Sequence, residues 1–94
     1  MTKGPFMIGI TLENDDQEDV FVSVTDLNLA GSPVILKKQR LDSGDSLPIS
    51  VQEDGRGSGR IIWEAQRADD ASQTARRTVT VEAGDTVDVT TQFS

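Results

Sequence analysis

The chain has 94 residues, a net charge of −7, and neither cysteine nor histidine. Those two absences exclude a disulfide framework, thiol chemistry, Cys/His zinc sites, Ser-His-Asp and Cys-His nucleophiles and histidine pH switches. The acidic balance argues against nucleic acid or an anionic membrane surface as the main partner, since both need a basic surface.

The length is that of one domain, spanning residues 1–94. A chain this short hides only about 60–65% of its unfolded surface, so its core is small. A hydrophobic share of 35% with this charge raises the alternative of disorder. The apolar residues, however, fall in β-branched runs at period two, which is the pattern of half-buried strands. No apolar run reaches the roughly 18 residues of a membrane span, so membrane insertion is not expected. Met1 to Pro5 carries one cation and no apolar core of a signal peptide, so a cytoplasmic, leaderless or processed protein is expected, with the compartment itself undetermined.

In chain order, Phe6, Ile8, Ile10 and Leu12 alternate with Met7, Gly9 and Thr11 as a first strand. Gly9 within it suggests a bulge or a close neighbour. Glu13 to Asp19 holds five acids in seven residues and reads as a solvated loop. A second strand runs from Val20 to about Leu27, with Val20, Val22 and Val24 on one face. After the Gly31-Ser32-Pro33 breaker, Val34, Ile35 and Leu36 open a third strand that fades into Lys37-Lys38-Gln39-Arg40. Cations in that position mark an edge strand guarded against further pairing.

The stretch Leu41-Asp42-Ser43-Gly44-Asp45-Ser46-Leu47 recurs as Val81-Glu82-Ala83-Gly84-Asp85-Thr86-Val87. Both read apolar, acid, small, Gly, Asp, hydroxyl, apolar, the chemistry of a tight corner before a strand. The first corner leads to a fourth strand, Leu47 to Gln52, where Pro48 favours an edge. Glu53 to Arg60, with three alternating glycines, reads as a mobile hairpin tip. Ile61 to Gln66 is a fifth strand, with Ile61, Trp63 and Ala65 on one face. Arg67 to Arg77 reads as a loop or a single helical turn, acids first and cations last. Thr78 to Val81 and Thr86 to Phe93 complete about seven strands. The expectation is all-β, an antiparallel two-sheet β-sandwich with almost no helix. The likeliest edges are Val34 to Gln39 and Leu47 to Gln52.

Candidate chemistry is sparse. Asn14, Asp15, Asp16 and Asp19, with Asp42 or Asp45 from the first corner, offer oxygens to calcium. Their spacing is not that of an EF-hand, and acid runs are commonly plain solvated loops. Otherwise no cofactor is expected. Arg56, Ser58 and Arg60 on the glycine-rich tip could meet an anion or a partner through guanidinium and backbone N–H groups, although the tip lacks the P-loop pattern. Trp63, the single tryptophan, lies on a core face rather than as a sugar platform. Nothing brings a particular carboxylate pair together, so an enzyme is not expected.

The two corners, with the strand rhythm that follows Val81 to Val89, resemble those of immunoglobulin-like and fibronectin-type-III-like accessory domains. The chain departs from antibody-type domains in having no cysteine pair and no tyrosine. The resemblance is one of architecture alone; the leading functional reading is a non-catalytic interaction module or assembly subunit that binds a protein partner. The alternative is a small ligand-binding protein, carbohydrate-binding and lectin-like or calcium-dependent, with a glycan as partner. Homo-oligomerisation through an edge strand stays open.

Overall fold

The period-two pattern becomes seven strands in a computed structural model that describes residues 7–90. They are β1 (Met7–Glu13), β2 (Val20–Asp26), β3 (Val34–Leu41), β4 (Ser46–Gln52), β5 (Ser58–Arg67), β6 (Thr74–Glu82) and β7 (Thr86–Asp88). Phe6 and Phe93, expected in the first and last strands, lie outside the described residues. The strands form two facing sheets, β4-β1-β7 and β3-β2-β5-β6. The fold is therefore all-β and sandwich-like, with no helix among the described residues.

Alternate residues of each strand enter the space between the sheets. Ile8, Ile10 and Leu12 face Val20, Val22 and Val24, with Ile61, Trp63 and Ala65 beside them. Trp63 is 1% exposed, and its indole Nε1 has no hydrogen-bond partner. It is a core residue.

A buried polar side chain ties the sheets at each end. At one end the Asn14 amide donates to the Leu41 and Glu18 carbonyls, both at 2.9 Å, and its oxygen accepts from Asp16 N. At the other, the Asp26 carboxylate leaves β2 and accepts from Gln52 N at the end of β4, 2.7 Å away, and from Asn28 N. Backbone amide groups cannot be left dry, so both ends of the sandwich are hydrogen-bonded through side chains.

The repeated corners are the same turn. Asp45 N donates to Asp42 O and Asp85 N to Glu82 O, with Gly44 and Gly84 at φ of 79° and 88°. A positive φ at the third residue is the type II geometry that glycine favours. Both corners dock on β1 or its exit: Gly44 N donates to Asn14 O, and Gly84 N to Gly9 O.

Four expectations change. The sandwich is not wholly antiparallel: β4 runs antiparallel to β1, but β7 lies parallel on the other side of it, with Leu12 opposite Val87. The stretch after Arg67 is a short turn, because β6 already begins at Thr74 and puts Ala75 into the core. β7 is only three residues long. Gly9 is neither bulged nor crowded, since β1 keeps its register through Gly9 and Ser50 and a Cβ there meets nothing within 4 Å. The crowded glycine is Gly59, where an added Cβ would lie 2.7 Å from Val51 Cγ2.

Candidate functional site

The alternation that buries one face of β3-β2-β5-β6 turns the other outward. Register sets its rows: Arg40, Phe21, Gln66 and Thr74 in one, then Ser23, Glu64 and Arg76 in the next. The third row holds Thr25, Ile62 and Thr78. Between the first two rows lies an open depression of about 390 Å³, lined by Phe21, Ser23, Lys38, Glu64, Gln66 and Arg76 among others. Lys38 reaches it because β3 is irregular. Its register against β2 shifts twice, Lys38 takes a φ of 47°, and its N–H donates to Ser23 Oγ. A bulge of this kind re-aims a side chain.

The charge of this face runs against the rest of the chain. Asp and Glu outnumber Lys and Arg 16 to 9. On the outer face stand Lys38, Arg40, Arg60 and Arg76 against Glu64 and Glu82, with Arg40 turned aside onto Asp19 and Asp42. Arg76 Nη1 lies 3.5 Å from Glu64 Oε1, an exposed pair that holds geometry more than it adds stability. Lys38 and Arg60 have no ion pair among the described residues. With Phe21 as an apolar floor, the depression offers cations, an amide, hydroxyls and one carboxylate, the mix of apolar and polar groups that a binding surface uses.

The residues proposed for calcium are not brought to one point. Asn14 is buried, with its amide spent on the contacts above. Asp19 accepts from Ser43 N and pairs with Arg40, which also bonds Asp42. The Ser43 amide first, and Arg40 second, hold the Asp19 carboxyl below its ordinary 3.8. Asp16 and Glu18 lie 3.8 and 3.9 Å from the Arg67 guanidinium, which is closest to Asp69 at 3.2 Å. Among the described residues, only Asp15 of this set joins a carboxylate group, with Glu13 and Asp88, where one oxygen of each lies within 4.8 Å of the others. Calcium takes six to eight oxygens, so three carboxylates form at most part of such a shell.

The tip that carries Arg56, Ser58 and Arg60 is a hydrogen-bonded loop. Asp54 Oδ1 accepts from Arg56 N at 2.8 Å and Ser58 N at 3.3 Å, and Asp54 N donates to Ser58 O. The anion that these amides bind is the chain's own carboxylate, held by the Arg56 amide below its ordinary 3.8. Arg60 belongs to the outer sheet face rather than to the tip. The mixed-charge depression went unnoticed in the sequence because its residues come from four strands. Its one visible signal was the cationic run after Leu36.

Comparison with protein-family models, with curated proteins and with solved structures found no match.

Proposed function

We propose that the domain is a non-catalytic, immunoglobulin-like interaction module, and that its docking surface is the outer face of the β3-β2-β5-β6 sheet. The partner is a protein that presents an extended, acidic segment. The observation that carries this reading is the Phe21-floored depression, net positive through Lys38, on a sheet face of an otherwise acidic chain that no other described strand covers. Complementary charge steers encounter, and a sheet face gives an extended segment a flat bed.

Strand order supports the immunoglobulin-like part. The order β3-β2-β5-β6 matches strands C′, C, F and G of a variable-type domain, and β4 beside β1 matches E beside B. β7 then takes the flank where strand A would pair, but runs parallel to its neighbour.

The test is an amide NMR titration with a synthetic peptide of alternating Glu and Val. Shifts should gather at Phe21, Ser23, Glu64 and Arg76, weaken with salt, and fade in Lys38→Glu. Shifts confined to the Glu13 to Asp19 or Glu53 to Arg60 loops would sink this reading. A glycan is the second reading, favoured by Phe21 beside Glu64 and Gln66. It predicts instead salt-insensitive shifts at the same amides with neutral oligosaccharides.

A further inference from the structure

Among the described residues the sheets leave four strand edges, and three of them are blunted. β3 has two register shifts and a cationic run, β4 contains Pro48, and β7 has three residues. Shortness, bulges, lysines and proline are the usual means by which an edge is kept from pairing. β6 has none of the first two and no proline. Its nine residues pair with β5 without a break, from Thr74 opposite Gln66 to Glu82 opposite Ser58.

The open side of β6 presents backbone groups. Leu27 N donates to Arg60 O, so Arg60 turns its amide groups toward β2. Its partner Thr80 then turns its own N–H and C=O to the free edge, and at period two so do Thr78 and Arg76. No loop bonds to these groups among the described residues. The row ends at Glu82, whose N–H donates to Asp85 Oδ2 and whose C=O accepts from Asp85 N.

We infer that β6 pairs antiparallel with β6 of a second copy, about a two-fold axis at Val79, and joins two four-stranded sheets into one. Side-chain charge selects both the occupant and the register. With Val79 opposite Val79, Thr78 meets Thr80 of the second copy and Arg76 meets its Glu82. Threonine pairs and opposite charges are favourable cross-strand neighbours. Shifting the axis to Thr78 puts Thr74 opposite Glu82 and loses both ion pairs. Shifting it to Arg77 sets two guanidinium groups face to face. The contact is isologous, so it closes at two chains. This inference goes beyond the sheet-face reading, and the sheet face stays free for its own partner.

The experiment is light scattering after size exclusion, up to millimolar concentration, on the wild type, Thr78→Pro, Glu82→Arg and the exchange Glu82→Arg/Arg76→Glu. The wild type should approach twice the 10.2 kDa chain mass as concentration rises. Glu82→Arg should weaken dimerisation by about tenfold, because it sets cation against cation. It also lowers the net negative charge, so relief of general repulsion predicts the opposite change. The double exchange should restore the dimer. Thr78→Pro should be monomeric, with native tryptophan emission reporting its fold. If it does not fold, the charge variants decide. A wild type that stays monomeric overturns the β6 contact and leaves the sheet-face titration to be judged separately. A dimer indifferent to Glu82→Arg, or masses that climb past two chains, overturns it as well.

Discussion

Gly59→Ala isolates the tightness of the contact between the sheets. Gly59 sits at the start of β5, is buried, and has no left-handed backbone, so the substitution tests space alone. A Cβ there would lie 2.7 Å from Val51 Cγ2, 3.2 Å from Val81 Cγ2 and 3.3 Å from Ile8 Cδ1. Val51 is fully buried and β-branched, so it cannot swing away at χ1 without displacing its neighbours. Overpacking of this kind costs about 1–3 kcal/mol, offset by roughly 0.5–1 kcal/mol from removing glycine's entropy in a strand. The expected net loss is about 1–2 kcal/mol, against a total of about 5–14 kcal/mol for a chain of this length. Urea unfolding followed by Trp63 emission measures it, with an unchanged m-value as the sign that stability alone has moved. Gly9→Ala is the control: nothing lies within 4 Å of that position, so it should be neutral or gain about 0.5 kcal/mol. Adding Val51→Ala to Gly59→Ala should cost less than the two separately, by about 0.5 kcal/mol or more. A Gly59→Ala protein as stable as the wild type would refute the packing argument.

Asn14→Ala should cost about 2–4 kcal/mol in the same assay, because the Leu41 and Glu18 carbonyls and the Asp16 amide each lose their partner. Native Trp63 emission should be blue-shifted, and Trp63→Ala should lose about 3–5 kcal/mol, enough to leave little folded protein. The carboxyls of Asp19, Asp54 and Asp70 lie below their ordinary 3.8 in the folded chain, through the Ser43 amide, the Arg56 amide and the Ser72 hydroxyl respectively. Their contribution is therefore complete above that value and is lost as pH falls through the lowered folded values. Thermal melts should show a Tm that these groups leave level from pH 7 to about 5 and lower below about pH 4, with a shallower fall in Asp54→Asn.

The alternating valines of β2 and the aliphatic face of β1 made two strands and much of the core legible, because burial follows period two. The corners were legible for the same reason that they repeat: only a few residues suit a left-handed glycine before a strand. Turn chemistry does not say on which side of β1 the next strand falls, so the parallel pairing of β7 was hidden. β6 was obscured at Ala75, Arg76 and Arg77, whose composition suits a helix end as well as an edge strand. Asn14 carried the opposite ambiguity. Its acidic neighbours suggest a ligand loop, while its role depends on the Leu41 carbonyl, distant in the chain. The outer face could not be read at all before register placed Phe21, Gln66, Glu64 and Arg76 side by side.

The two flanks of β1 also set an order of events in folding. The β2-β3 and β5-β6 hairpins pair segments close in sequence, and loops of that size close quickly. β1 has no such neighbour: Ile8 waits for Val51, and Leu12 waits for Val87. β1 is thus the last strand to be completed within its own sheet: one of its edges stays unpaired until Val87 is in place. Non-local pairing of this kind slows folding. A released chain truncated before residue 86 should keep all four strands of the β3-β2-β5-β6 sheet, with a first strand lacking one of its two neighbours.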